Sequence, residues 1–233
     1  MQIIEITDMG VRSSVVRLRR RGTPMSFVVY PMVHMAEPRF YAEVTARLRT
    51  ADIIVVEGVD GGGPALRALT LTYSVLRFNR RAGKLVEQDI DYGTLDAELV
   101  HPDTTGAEFG GTWRRAPLKE RLLTWLMLPA FTLTRLFGGR RTIWAPDLEM
   151  NDLPSLRQEQ AADRYTGLDH TIRGSRDAML LAALYRLHEE RNTENIEIAI
   201  VYGAAHVPAI VHGLNHRFGY RPTSADWLTV AEP

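Results

Sequence analysis

The chain writes one pattern twice, and that duplication narrows the folds open to it. Residues 27–34 read FVVYPMVH and residues 198–206 read IAIVYGAAH, two apolar runs that each end in histidine. A Val-Tyr pair stands at the same distance before His34 and before His206. Each histidine precedes a segment with helical spacing and then a second apolar run, through Ala51-Asp52-Ile53-Ile54-Val55-Val56-Glu57 in one copy and Ala225-Asp226-Trp227-Leu228-Thr229-Val230 in the other. Ile53 to Val56 is continuously apolar, as a strand covered on both faces would be. Strands that alternate with helices imply an α/β layer architecture. The expected fold is therefore a mixed central β-sheet flanked by helices, built from two related strand–His–helix–strand units. A duplication of this kind brings its two copies onto one sheet. His34 and His206 then meet at the sheet's carboxyl edge, where α/β proteins bind ligands.

Between these units the pattern is coarser. Val11 to Leu18 and Met25 to Tyr30 read as a hairpin across the turn Arg19-Arg20-Arg21-Gly22-Thr23-Pro24. Glu37 to Leu48 has helical spacing, with Phe40, Val44 and Leu48 on one face and Glu37 as a first-turn carboxylate favoured by the helix dipole. Residues 65–78 read as a helix, and residues 104–117, polar and glycine-rich, as a loop. Leu122 to Phe137 is strongly apolar but shorter than the roughly twenty residues of a spanning helix, and Pro129 interrupts it. It reads as a buried or lid helix pair broken at the proline. The alternative is a membrane-surface or homo-oligomer contact with arginine flanks. A long helix over residues 172–191 buries Met179, Ala182 or Ala183, and Leu187, with Arg173 and Arg176 in its first turns. Residues 1–233 are expected to form a single domain, with 104–141 as a loop plus apolar helical insertion or cap.

Composition excludes several classes. Lysine plus arginine number 28, as do aspartate plus glutamate, which argues against a nucleic-acid partner. There is no cysteine, so a metal would be held by His, Asp, Glu or backbone oxygen. The first residues lack a basic and then apolar leader, and a cytoplasmic location with membrane association at most is expected. No P-loop, dinucleotide fingerprint or nucleophile elbow is present.

The chemistry-bearing residues cluster in the pattern at strand ends. His34 and His206 follow strands directly, a placement that suits metal ligation or proton transfer. Glu57 ends another apolar strand and precedes Gly58, so it reads as a third ligand or a general base. Arg176 is a candidate oxyanion or carboxylate clamp. Arg173, His101 and Asp103 are candidate binding residues, the last two at the end of a short apolar element.

Together these residues resemble the TraB/PrgY family, in the wider group of Tiki metalloproteases, erythromycin esterase and ChaN-like proteins. That group is marked by two Gly-x-x-His motifs, a glutamate after the second strand and an arginine opening a late helix. Gly203-Ala204-Ala205-His206 matches the second motif, while Pro31 stands where the first has glycine before His34. Glu57 matches the glutamate, Arg176 with Asp177 and Met179 the arginine element, and Val100-His101-Pro102-Asp103 the segment ending in aspartate. The resemblance implies a pseudo-symmetric site and a metal-dependent hydrolase acting on a peptide. His34, His206 and Glu57 would hold a divalent ion such as manganese or cobalt, as in the Tiki peptidases. Two alternatives stand beside it: a non-catalytic protein that binds a peptide or small ligand in the same cleft, and a metal-free, esterase-like hydrolase.

Overall fold

The computed structural model describes residues 2–58, 84–102, 118–137 and 167–232. Its core is a mixed seven-stranded sheet flanked by helices, as expected. The N-terminal strands are β1 (Ile4–Thr7), β2 (Gly10–Arg19) and β3 (Ser26–Met32), followed by the short β4 (Met35–Ala36), helix α1 (Pro38–Leu48) and β5 (Ile53–Val56). Short strands β6 (Val86–Glu87) and β7 (Glu98–Val100) come next. Helices α2 (Leu118–Phe137) and α3 (Gly167–Arg191) precede β8 (Glu197–Gly203), α4 (Val207–Phe218) and β9 (Arg221–Ala231).

The expected hairpin forms: β2 and β3 are antiparallel, with Leu18 opposite Phe27 and Arg19 opposite Ser26. At the start of β2, Gly10 adopts φ 118°, and a Cβ there would stand 2.4 Å from the Ala231 carbonyl oxygen. Only glycine lets the β1–β2 turn lie against the end of β9 at that distance.

The two related units do come together. β3 and β8 are adjacent and parallel, with Ser26 opposite Glu197 and Met32 opposite Gly203. On its other edge β8 pairs with β5 in parallel, Ile53 opposite Ile198 and Val56 opposite Val201. Residues 198–202 and all of β3 and β5 are buried, which accounts for their unbroken apolar runs. Burial of each such Val or Ile contributes about 1.5–3 kcal/mol before entropy is counted.

The chain leaves β3 toward β5, past β8, and leaves β8 toward β9, past β3 and β2. β9 is antiparallel to β2, and therefore parallel to β3 and β8. The two crossovers thus run in opposite directions from neighbouring strands. The right-handed crossover rule assigns α1 and α4 to opposite faces. Loops that part from adjacent strand ends to opposite faces leave a crevice between them. The β3–β8 carboxyl edge is that place.

α1, α3 and α4 lie where helical spacing is expected and differ in detail. α1 buries Phe40, Val44 and Leu48 as the spacing predicts, together with Tyr41, whose hydroxyl donates to the Val33 carbonyl at 2.9 Å. Glu37 stands at the N-cap rather than in the first turn. Its carboxylate meets Arg39 at 3.1 Å and accepts from the Glu232 N–H at 3.1 Å, so ion pairing adds to any dipole effect. The apolar stripe of α3 is Leu180, Ala183, Leu184 and Leu187, while Ala182 is exposed. The predicted stripe is thus rotated by one position at Met179, because the helix packs with i, i+3, i+4 contacts from Leu180.

The largest correction concerns Leu122 to Phe137. The segment is one helix, α2, with Pro129 inside it rather than between two helices. Proline removes one backbone donor, to the carbonyl four residues earlier. Pro129 and Trp125, which carries that carbonyl, are both exposed, so water can take the donor's place. Nor is the helix a buried one: Leu118, Leu122, Trp125, Leu126, Met127, Leu133 and Phe137 are exposed. Among the described residues no helix is long and apolar enough to cross a membrane. The expected helix over 65–78 and loop over 104–117 lie outside the described residues.

Candidate functional site

Four side chains converge at the β5–β8 carboxyl edge. Glu57 is the first residue after β5, held in place by a backbone hydrogen bond from its N–H to the Val201 carbonyl at 3.1 Å. One carboxylate oxygen, Oε2, accepts from the Gly203 N–H at 2.6 Å, and the other, Oε1, from Arg176 Nη2 at 2.5 Å. Two charge-assisted bonds fix the plane of the carboxylate. Gly203 has a steric reason to be glycine. A Cβ there would lie 3.2 Å from Glu57 Oε2 and 3.8 Å from His206 Cδ2, pressing directly on the site.

His206 ends a 3-10 turn, Ala204–His206, that joins β8 to α4, and it is buried. Its Nδ1 stands 2.5 Å from Asp177 Oδ1, and its Nε2 3.7 Å from Glu57 Oε1. A carboxylate accepts, so the Nδ1 proton points at Asp177, while Nε2 faces the Glu57 carboxylate. Tyr202 packs edge-on against the imidazole at 5.5 Å between ring centroids.

The electrostatics favour an ionised Glu57. Burial is the largest single influence and works against the charge. The Arg176 guanidinium, then His206, the Gly203 N–H and the Arg176 hydrogen bond outweigh it and hold the carboxyl below its ordinary 4.5. Nearby, burial, with a smaller push from the Glu57 carboxylate, raises the Tyr92 hydroxyl to about 12.

The structure therefore brings together Glu57, Arg176 and His206 of the residues expected from sequence. Arg176 does not open its helix: α3 begins at Gly167, so Arg176 sits in its third turn and reaches the sheet from the helix side. His101, exposed after β7, flanks the site, with its Nδ1 3.6 Å from where a Gly58 Cβ would stand. His34 follows β3 at the same sheet edge, but it is exposed and leads into β4, whose pairing with β6 is joined by a Gln88 N–H bond to the His34 carbonyl at 3.2 Å. The two histidines share a place in the fold and differ in surroundings. Pro31 and Gly203 begin this divergence: after Gly203 the chain turns into a 3-10 helix, whereas after Met32 it enters a second short strand. Asp103 and the side chain of Arg173 lie outside the described residues.

Asp177 is the residue that sequence reasoning passed over as a partner for His206. Its signal was its position beside Arg176: successive helix residues point about 100° apart, so one reaches Glu57 and the other His206. Gly203, read as part of a motif, proves to supply a backbone donor as well.

Among the described residues no three His, Asp or Glu side chains are grouped to hold a metal ion. Of the three expected ligands, His206 and Glu57 converge. The Glu57 oxygen nearer His206 already meets a guanidinium, whose positive charge opposes a cation at that point. These donors do not by themselves complete a ligand set.

No family model, no curated protein and no solved structure matches the chain. Fold and site together define an α/β protein with a Glu–Arg–His–Asp cluster at the carboxyl edge of its sheet.

Proposed function

We propose that the chain is a hydrolase in which the Asp177–His206 pair activates water, acting on a peptide or a comparable small carbonyl substrate. The observation that carries this reading is the 2.5 Å contact of His206 Nδ1 with Asp177. In the neutral imidazole this pairing leaves Nε2 as the proton acceptor. The order Glu57, Arg176, Gly203-x-x-His206, which resembles the TraB/PrgY group, supports it. In this reading His206 Nε2 takes a proton from water as the water oxygen bonds to the substrate carbonyl carbon. The charge gained by the imidazole is balanced by Asp177 and Glu57. Arg176 supplies fixed positive charge for the developing oxyanion. As the carbon–nitrogen or carbon–oxygen bond breaks, His206 returns the proton to the leaving group. Glu57, held ionised, acts as a positioning residue for Arg176 and His206 rather than as the base.

A panel of fluorogenic peptides and activated esters tests this, with the wild type and His206→Ala assayed after dialysis against EDTA and again with manganese or cobalt added. Turnover in EDTA that His206→Ala abolishes supports the acid–base reading. Turnover lost in EDTA and restored by metal replaces it with metal-dependent hydrolysis, with His206 and Glu57 as ligands. Saturable binding with no turnover of any substrate overturns hydrolysis in favour of a ligand-sequestering protein.

A further inference from the structure

Most of the exposed large apolar residues of α2 lie on one side of the helix, with Met127 on the other. At about 100° per residue, Leu118, Leu122, Trp125, Leu126, Pro129, Leu133 and Phe137 fall within a stripe about 120° wide along the helix. Twenty residues make this stripe about 30 Å long. An apolar face of that extent left in water marks a contact surface.

The charge around it identifies the contact. Residues 114–141 carry seven arginines and lysines, Arg114, Arg115, Lys119, Arg121, Arg135, Arg140 and Arg141, against a single acid, Glu120. The whole chain is neutral, so the remainder is acidic by the same margin. An apolar stripe bearing a tryptophan, in a strongly basic segment, complements an anionic lipid surface in both of its terms. A second copy of this segment would bring the same basic charge against itself, which opposes helix pairing across the stripe. α2 falls short of a spanning helix among the described residues, so it would lie in the plane of the interface.

We propose that α2 is an interfacial anchor that binds the protein peripherally to membranes rich in anionic lipid. This inference does not depend on the hydrolase reading. The anchoring is electrostatic and hydrophobic together, so it requires both the basic segment and the leucine–tryptophan stripe.

Co-sedimentation of the full chain with vesicles tests it, using neutral phosphatidylcholine alone and phosphatidylcholine with about a third phosphatidylserine. The expected result is binding at least tenfold stronger to the anionic vesicles and strongly weakened at about 0.5 M salt. The double variant Leu122→Glu/Leu126→Glu should lose binding while keeping the wild-type melting temperature, because both side chains are exposed. Equal binding to both vesicles, or none to either, overturns the proposal. So does a lipid-free dimer that the double variant dissolves, since the stripe would then be an interface between copies. Should that variant melt early, Arg135→Glu/Arg140→Glu provides the second arm, with loss of anionic selectivity expected and unchanged selectivity counting against the anchor.

Discussion

Replacing Arg176 with methionine removes the cation from the Glu57 carboxylate and keeps most of the side-chain volume. Breaking a buried ion pair by deleting one partner costs about 3–5 kcal/mol. The Glu57 and Arg176 side chains retain 24% and 19% of their exposure, so water recovers part of this and about 3 kcal/mol is expected at pH 7. For a chain of this size that is a melting-temperature loss of about 6–12 °C. Glu57→Gln in the Arg176→Met background should recover much of the loss, giving a coupling of about 2 kcal/mol in a double-mutant cycle read by urea unfolding. The pH dependence sharpens the test. In the wild type Glu57 is held below its ordinary value, so its contribution to stability is present above pH 4.5 and is lost as pH falls through the lowered folded value. Without Arg176, burial is opposed only by His206 and the Gly203 N–H, so the folded value of the carboxyl moves up. A carboxyl whose folded value moves up contributes less stability at high pH, and that difference fades on acidification, so the Arg176→Met penalty should shrink to about 1 kcal/mol toward pH 4. A penalty unchanged between pH 7 and pH 4, or single-variant effects that simply add within about 0.5 kcal/mol, would refute the reasoning.

Asp177→Asn should lower any turnover about 10²–10⁴-fold and shift its pH profile, because the amide no longer selects the His206 tautomer; ¹⁵N chemical shifts of His206 report the change directly, and an unaltered tautomer would remove Asp177's positioning role. Gly10→Ala should destabilise by about 2–4 kcal/mol in denaturant unfolding, since the new Cβ meets the Ala231 backbone oxygen at 2.4 Å in a left-handed conformation. Tyr30, Tyr92 and Tyr220 are each pushed up to about 12 by burial, and Tyr185 is raised as well, so ultraviolet titration should show at least three late phenols. Their raised values mean that stability falls as pH rises from 10 to 12; three phenols titrating at 10 with the fold intact would contradict the burial.

Most of the sheet was legible because buried strands advertise themselves. Residues 53–56 and 198–202 are apolar without interruption since both their faces are covered, and the structure buries every one of them. The hairpin and α1 were legible for the same local reason: turn chemistry between two runs, and 3.6-residue spacing at Phe40, Val44 and Leu48. Glu57 and His206 could be found because each ends such a strand. The fate of Pro129 was not legible. Whether a proline breaks a helix or is carried within it depends on whether the orphaned carbonyl reaches water, which only the exposed setting of α2 decides. The pairing of His206 with Asp177 was hidden as well, because nothing local joins positions 29 residues apart.

What the chain alone determined is the hairpin strands, the buried runs 53–56 and 198–202, and the two histidines standing at strand ends, all consequences of short-range hydrophobic pattern. What only the tertiary structure decided is which of those ends share a site. The order β3-β8-β5 sets Glu57 beside Gly203, and the lie of α3 across them delivers Arg176 to Glu57 and Asp177 to His206. His206 is enclosed by this arrangement and His34 is not, although the sequence writes them alike. Each copy's strand is seven residues long, yet the chain enters a 3-10 turn after Gly203 and a short strand beyond Met32, and that difference in backbone path, not the likeness of the two copies, selects the residue that meets Asp177.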